Sequence, residues 1–501
     1  MCDRTITTNG AVALKTSGNK FVDFFMMLVR GIETDLIKQY MLECWKEDPA
    51  KTVSIVFHAR DRQNGKKEKN ISNRCMIWLK NHKYGTYTKN IRKYVTKYGC
   101  WKDMIYISIK THGRNDFEID SIADQLRKDK LLLEEGKTYE VSLCAKWASS
   151  QQDKNDVKFN TAHYIAAKLF PNDPKSMERY RKEYLAPLRK NIDIVESYMA
   201  SNKWKEIKYE KVPAVATKRL KNAFEKHDPL GYKNYLQQVA NGTKKINITG
   251  ILPHELVKYY LDGNEYNETI EQQWKALLEN IKSQGILDNM LAVVDTSGSM
   301  SSGGCGNVQP IEPAIALGLL IAECNTGQFH KKIISFHSNP TIFDIKGDSL
   351  YEQVKHISRD LPQDANTNFE ATFDLILNVA SMFNIPPEKM PKKLVVLSDM
   401  QFDAAKLATS DISEEILHEY IVKKYNSTAY EPPVFIYWNL SAAHNETFPV
   451  KSVAANVAMI SGFSEQLLKV FMNCEDFNPE NIVNEILSKY IIEVAIDEDE
   501  V

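Results

Sequence analysis

The sequence predicts a multidomain protein in which an N-terminal all-α helical array, residues 1–285, precedes a C-terminal α/β doubly wound domain, residues 286–501. One observation is the length, because 501 residues exceed the roughly 250 to 300 at which a single hydrophobic core stops growing. The other two observations are the rhythms of apolar residues. They recur at three- and four-residue spacing in the helical region and form short continuous runs in the α/β region.

The helical region is predicted from amphipathic stretches separated by Asn, Asp, Gly or Pro. These stretches are 21–30, 34–45, 73–82, 88–98, 117–133 and 174–201. Successive short amphipathic helices without alternating strands indicate an α-solenoid or an irregular helical array. Since no clean repeat period is visible, the all-helical prediction is stronger than the solenoid prediction.

The α/β region is predicted from apolar runs that alternate with helical stretches. The runs are 290–294, 333–336, 394–397 and 434–438, and the helical stretches are 311–324, 369–383, 412–425 and 482–490. This alternation is typical of a parallel sheet covered by helices on both faces. The boundary is expected within 262–288, where an acidic segment precedes a connecting helix over 268–284.

Charge separates the two halves of the chain. Lys and Arg exceed Asp and Glu by 18 in residues 1–250, whereas the acidic residues exceed the basic ones by 19 in residues 251–501. The halves are therefore expected to face different partners, or each other. We expect no secretory signal and no membrane span, and the eight cysteines form no C-x-x-C pair, so a cytoplasmic protein with reduced thiols is predicted.

A candidate cation site follows the first predicted strand. Asp295, Ser297 and Ser299 stand at alternate positions directly after the run 290–294. Ligands of doubly wound sheets bind outside the carboxyl ends of strands, and alternation lets these three side chains converge. Carboxylate and hydroxyl oxygens suit a hard divalent cation, Mg²⁺ in the first place, with Mn²⁺ or Ca²⁺ as alternatives.

This D-x-S-x-S string resembles the metal-ion-dependent adhesion site of von Willebrand factor A domains. Asn366-Thr367-Asn368 and Ser398-Asp399 match two further elements of that site in the correct order. The resemblance implies that Thr367 contacts the ion directly and Asp399 through water, while Asn368 stands where many members have Asp. The local motif contains no His, Cys or Lys as a general base, so binding of an acidic group is predicted rather than catalysis.

A candidate RNA surface lies in residues 51–100, which carry thirteen Lys or Arg against two acidic residues. The aromatic residues Trp78, Tyr84, Tyr87, Tyr94, Tyr98 and Trp101 are interleaved with them. Cations neutralise phosphates and aromatic faces stack on unpaired bases, so structured or single-stranded RNA is the predicted partner. The candidate contacts are Arg60, Arg62, Lys66, Lys67, Lys69, Arg74, Lys89, Arg92, Lys93 and Lys97. The alternative interpretation is a helical array with solvated lysines and core tyrosines.

A second resemblance covers nearly the whole chain. Residues 57–69, 98–104, 142–147, 398–403 and 438–440 are similar to landmarks of a family that is itself similar to the Ro autoantigen. Such proteins combine a helical, HEAT-like TROVE module with a von Willebrand factor A domain. The resemblance implies a helical ring or scaffold that holds structured RNA outside and single-stranded RNA ends inside. The glycine loop of that family is altered here at 63–69.

Three functions compete on this basis. The first is an RNA-binding ring or scaffold with a cation-dependent ligand site in the A domain. The second is a protein–protein assembly factor whose metal grips an acidic partner, and the third is a metal-dependent phosphoesterase using Asp364 or Asp403. A continuous basic groove favours RNA, whereas a basic face matched against the acidic α/β region favours intramolecular contact.

Overall fold

A computed structural model of the chain describes residues 4–111, 117–285, 287, 289–302, 308–362, 368–403, 416–443, 446–473 and 477–496. It has a helical region followed by an α/β region, as the sequence predicts. Among the described residues, no helix is long and apolar enough to cross a membrane.

The helical region opens with a two-stranded antiparallel hairpin, β1 (Arg4–Ile6) and β2 (Val12–Leu14). Its helices are α1 (Lys20–Met27), α2 (Thr34–Trp45), α3 (Pro49–Arg60), α4 (Lys69–His82), α5 (Tyr84–Lys93), α6 (Trp101–Lys110), α7 (Phe117–Glu134), α8 (Cys144–Trp147), α9 (Lys154–Phe159), α10 (Thr161–Leu169), α11 (Ser176–Arg179), α12 (Ala186–Ile192), α13 (Val195–Ala200), α14 (Ala214–His227), α15 (Pro229–Ala240), α16 (Pro253–Leu261) and α17 (Glu268–Lys282). Two π-helical turns, Tyr94–Tyr98 and Tyr180–Leu185, follow α5 and α11. Short 3₁₀ turns lie at Thr138–Glu140, Trp204–Glu206 and Tyr209–Lys211.

The α/β region contains one sheet flanked by helices. Its strands are β3 (Met290–Asp295), β4 (Lys332–Phe336), β5 (Thr341–Asp344), β6 (Lys393–Ser398), β7 (Val434–Asn439) and β8 (Val457–Ser461). Its helices are α18 (Gly298–Ser302), α19 (Ile311–Cys324), α20 (Leu350–Asp360), α21 (Phe369–Met382), α22 (Leu417–Asn426), α23 (Leu468–Asn473) and α24 (Pro479–Leu487), with 3₁₀ turns at Pro387–Lys389 and Glu465–Leu467.

The strand order of this sheet is β5-β4-β3-β6-β7-β8. The chain moves outward from β3 to β5 and then returns to the other side of β3, where it continues through β6, β7 and β8. The carboxyl ends of β3 and β6 therefore form the topological switch point, which is the usual ligand position in such sheets.

The prediction of an all-parallel sheet is wrong at one edge. Strands β3, β4, β6, β7 and β8 pair in parallel, but β5 is antiparallel to β4. The connection between β4 and β5 spans only residues 337–340, and so short a connection permits only a hairpin.

Local sequence signals set several helix ends. The Asn19 side chain accepts hydrogen bonds from the first turn of α1, and Asp48 does the same for α3, where Pro49 occupies the first helical position. The helix predicted over 174–201 is interrupted because Asp193 adopts a left-handed conformation, φ 60°, directly after α12. Asp tolerates this conformation better than most residues.

The main hydrophobic core is continuous through both regions, and a smaller separate cluster lies within residues 195–246 of the helical region. Helix α19 is buried along almost its whole length, because β3 lies against one side and helices α16 and α17 of the helical region lie against another. This two-sided burial explains an apolar run that has no polar face. The amino-terminal hairpin also contacts the α/β region, since Leu14 and Phe448 exchange backbone hydrogen bonds at 3.0 and 2.9 Å.

Candidate metal centre and basic surface

Asp295 is the last residue of β3 and is fully buried at the switch point. The parallel register pairs Val294 with Leu397, which places Ser398 beside Asp295. The Ser398 hydroxyl donates to Asp295 Oδ2 at 2.5 Å, and the backbone N–H of Ser297 donates to Oδ1 at 3.0 Å. The carboxylate is thus held in one orientation by the end of β6 and by the turn that follows β3.

The two serines after β3 lie together at the mouth of this site. Their hydroxyl oxygens are 3.1 Å apart. Ser297 is buried, whereas Ser299 is partly exposed in the first turn of α18. Ser299 is therefore on the solvent-facing side of the buried carboxylate.

Asp399 follows β6 and brings a second buried carboxylate to the same edge. Its Oδ1 accepts the backbone N–H of Gln401 at 3.2 Å, and the residue is 2% exposed. Burial, and next the charge of Asp399, raise the pKa of Asp295 to about 7. Two buried carboxylates that repel each other are stabilised when a cation neutralises both.

The donor set fits a hard divalent cation. Carboxylate and hydroxyl oxygens are the ligands that Mg²⁺ prefers, and Mg²⁺ commonly retains several waters. Within the described ranges, no cluster of three or more His, Cys, Asp or Glu side chains could hold a metal. A cation at this edge would therefore depend on the hydroxyls of Ser297 and Ser299 together with the carboxylates.

Thr367 lies outside the described residues, and so does Asp364. Asn368 is described, and its side chain accepts the backbone N–H of Ala371 at 3.1 Å as the N-cap of α21. The asparagine thus fixes the start of this helix. Asp403, the other candidate for phosphoester chemistry, is paired through its backbone with Gly10.

Two residues of this edge were missing from the predicted ligand set. Ser398 is hydrogen-bonded to Asp295, and the sequence signal was its place at the end of an apolar strand. His337 directly follows β4 and is 7% exposed, with its Nδ1 accepting the backbone N–H of Asn339 at 3.3 Å. The same rule, a polar residue just after a buried run, identifies it.

Arg60 is buried and does not belong to a nucleic-acid surface. Its guanidinium forms a 2.7 Å salt bridge with Asp103, which is fully buried. Burial by itself raises the pKa of Asp103, but Arg60 and then Lys69 outweigh burial, so the net shift is downward. A buried arginine with a buried carboxylate partner is part of the core.

Lys66 and Lys67 are also occupied within the protein. Lys66 is fully buried, donates to the backbone oxygens of Phe25 and Leu28, and donates to Ser461 Oγ at 2.7 Å. Lys67 forms a 2.6 Å salt bridge with Glu465, and their side chains are 6% and 2% exposed. The segment 63–69 therefore contacts the α/β region and leaves these lysines unavailable to RNA.

The other seven candidates lie nearer the surface. Arg62, Lys89, Arg92 and Lys97 are exposed, whereas Lys69, Arg74 and Lys93 are partly exposed. Several of them contact other parts of the chain: Lys69 lies 3.5 Å from Asp103, Arg74 donates to Thr34, Lys89 and Lys93 donate to residues 491–494, and Arg92 lies 3.4 Å from Asp124.

The interleaved aromatic residues are core residues rather than stacking platforms. Trp78, Tyr87, Tyr94, Tyr98 and Trp101 are at most 7% exposed, and only Tyr84 in this set is exposed. The alternative interpretation, core tyrosines within a helical array, is correct for these side chains.

A basic groove on the helical region includes one of the candidate contacts, Arg62. A cavity of about 500 Å³ is lined by Arg62, Trp101, Lys146, Trp147 and Arg219, among others. A second cavity of about 160 Å³ shares Lys146 with it and adds two cationic side chains, those of Lys208 and Lys211. We call these joined cavities the basic groove.

Comparisons with known proteins cover both regions. A domain of unknown function, DUF2828, matches residues 7–121 and 117–287, and a second domain of unknown function, DUF7788, matches residues 289–499. The chain is 33% identical to an uncharacterized protein of Acanthamoeba polyphaga mimivirus over 522 positions, which cover 98% of this chain and 88% of that protein.

Proposed function

This chain belongs to the family of the DUF2828 domain, a domain of unknown function, and we propose its function from its own geometry. In this proposal it is a non-enzymatic protein that binds an acidic partner through a divalent cation. Asp295, Ser297, Ser299 and, through water, Asp399 hold Mg²⁺ in a domain of the von Willebrand factor A type. Thr367 completes the site in this proposal.

The observation that carries the proposal is the meeting of Asp295, Ser398 and Asp399 at the switch point of the sheet. Two buried carboxylates whose negative charges repel each other are a costly arrangement, which a divalent ion relieves. With Ser299 partly exposed, one coordination position is open to a carboxylate oxygen of the partner. The motif itself contains no His, Cys or Lys that could act as a general base, which favours binding over reaction.

Magnesium titration calorimetry on the whole chain tests this function. We expect the wild-type chain to bind one Mg²⁺, and Asp295→Asn to weaken binding at least tenfold, because a central anionic ligand is lost. The matched control is Asp348→Asn, an aspartate of the same region whose side chain is fully exposed. Unchanged Mg²⁺ binding by a folded Asp295→Asn chain would contradict the proposal.

A binding assay with a glutamate-rich peptide tests the partner. The peptide should bind the wild-type chain with Mg²⁺ present and should not bind when a chelator removes the ion.

A second candidate function, RNA binding by a TROVE-like helical region, is favoured by the basic groove. Arg62, Lys146 and Arg219 line its larger cavity, while Glu196 is the acidic residue in that lining and lies 3.8 Å from Arg219. The excess of cations suits a phosphate backbone. The volume falls within the roughly 300 to 1,000 Å³ of ligand sites. The ring or scaffold architecture of Ro-like proteins is part of this candidate.

Gel shifts with single-stranded RNA at several salt concentrations test the second candidate. We expect the RNA affinity of the wild-type chain to fall steeply with salt concentration. The double variant Arg62→Glu with Arg219→Glu should bind RNA more weakly than the wild type, and its affinity should depend less on salt. Lys38→Glu on α2, whose side chain is 57% exposed, is the matched charge control and should bind like the wild type. No shift at low salt would end this candidate.

A further inference from the structure

Residues 491–496, which we call the strap, lie without helix or strand along α5. Asn90 binds the strap backbone in both directions. Its Nδ2 donates to the Glu493 carbonyl at 2.7 Å, and its Oδ1 accepts the Glu493 N–H at 3.2 Å. Thr86 Oγ1 accepts the Ala495 N–H at 3.0 Å. Buried polar side chains of α5 therefore recognise an extended peptide.

The strap also occupies two lysines of the candidate RNA surface. Lys93 Nζ donates to the Ile491 carbonyl at 3.2 Å and lies 3.5 Å from the Glu493 carboxylate. Lys89 Nζ donates to the Val494 carbonyl at 3.3 Å. Oxygens of the strap thus take the positions that phosphate oxygens would take around these ammonium groups.

The strap has limited apolar contact with the rest of the chain. Ile491 is 72% exposed and Ile496 is 91% exposed, whereas Ile492 packs against the hydrophobic core, so the attachment relies on hydrogen bonds and on this one isoleucine. Each such bond contributes only about 0.5 to 1.5 kcal/mol net. Segments held in this way open far more easily than the whole fold unfolds. Opening would stop at Tyr490, which is 8% exposed, donates to Asp61 Oδ2 at 3.0 Å and packs against Tyr98.

We propose that the face of α5 beneath the strap is a phosphate-binding surface for RNA, and that the strap is its intramolecular competitor. When the strap detaches, Lys89 and Lys93 become available together with the exposed Arg92 of the same helix. The strap competes because it presents carbonyl oxygens and one carboxylate to the same cations. This inference rests on the second candidate function and adds a regulation to it.

A reversible disulfide tests the competition in the full chain. The hydrogen bond between the Ala495 N–H and Thr86 Oγ1 places these residues close enough for Thr86→Cys with Ala495→Cys to form a disulfide. We expect the oxidised variant to bind single-stranded RNA several-fold more weakly than the reduced variant. The RNA affinity of the reduced form should fall more steeply with salt concentration, by the amount expected for about two additional phosphate contacts. The wild-type chain, treated with the same oxidant and reductant, is the control and should not change.

A second set of variants separates the possible failures. In the reduced form of the double-cysteine variant, the added substitutions Lys89→Gln and Lys93→Gln should remove the gain in RNA affinity over the oxidised form. Equal RNA binding by the oxidised and reduced forms would overturn the strap inference while leaving the RNA function standing. Absence of RNA binding by every form would overturn both.

Discussion

Lys66 shows how a single residue can join the two regions. Its ammonium group lies beneath the carboxyl end of α1, where it donates to the carbonyls of Phe25 and Leu28, and it reaches Ser461 at the end of β8. The aromatic face of Phe25 lies 4.3 Å from the ammonium nitrogen. Burial lowers the pKa of Lys66 from 10.5 to about 7.

This shift makes the stability depend on pH in a definite direction. Between pH 7 and 10.5 the unfolded chain binds a proton at Lys66 that the folded chain does not, so the free energy of unfolding rises with pH. Below pH 7 the lysine is charged in both states and its contribution to the slope vanishes. We expect Lys66→Met to remove this rise, about 2 kcal/mol between pH 7 and 9.

Denaturant unfolding of both chains at several pH values measures the difference. Lys97→Met, which alters an exposed lysine of the same region, should retain the wild-type slope. Parallel stability profiles for the wild type and Lys66→Met would show that the buried lysine does not titrate in this range.

At the scale of elements, the contact between α19 and β3 positions the candidate metal centre. A β-carbon at Gly318 would lie 2.7 Å from Val294 Cγ2, a stiff side chain in the strand position just before Asp295. Real β-carbons essentially never approach other atoms so closely. The helix can therefore lie this near the strand only because residue 318 has no side chain.

Gly318→Ala should lower both stability and Mg²⁺ affinity. Overpacking in a core costs about 1 to 3 kcal/mol, and against the stiff Val294 side chain this cost should outweigh the gain of roughly 1 kcal/mol in helix propensity. The displaced strand would also move the Asp295 carboxylate relative to Ser398. Thermal unfolding and Mg²⁺ calorimetry measure the two effects.

The control is Gly327→Ala, because the atom nearest to a β-carbon at that position would be 3.6 Å away. A Gly318→Ala chain that binds Mg²⁺ like the wild type would refute this role of the helix contact.

At the scale of the whole molecule, the opposite charges of the two halves meet at a buried contact, the ion pair of Lys67 with Glu465. Another ion pair, between Lys258 of α16 and Glu312 of α19, joins the helical region to the α/β region. Part of the basic surface is therefore matched against the acidic α/β region, while the basic groove is lined by residues of the helical region alone. Contact between the two halves, one of the two outcomes expected from the charge separation, is therefore present in the structure.

The continuous core predicts that both regions unfold together. Calorimetry should show one cooperative transition for the wild type. Glu465→Ala should shift that transition to lower temperature without splitting it, since an unpaired buried Lys67 costs about 3 to 5 kcal/mol. Glu178→Ala breaks an exposed pair with Lys182 and should cost under about 1 kcal/mol. Separate transitions in the wild type would show that the regions are independent.

The sequence by itself determined the order of the two regions, four strands of the sheet and the strand-end positions of Asp295, Ser297 and Asp399. These features could be predicted because they depend on local patterns: apolar runs, helical spacing and polar residues just after a strand. The antiparallel edge strand β5 has three exposed and no buried residues among its four, so it carried no such pattern.

Only the tertiary structure decided which cations are available to a partner. Lys66 and Arg62 look alike in the sequence, but Lys66 is buried against Ser461, a residue 395 positions away, while Arg62 lines an open groove. The strap likewise reaches α5 from about 400 residues further along the chain. Burial is a property of such distant contacts, so a count of nearby lysines predicts charge but cannot predict exposure.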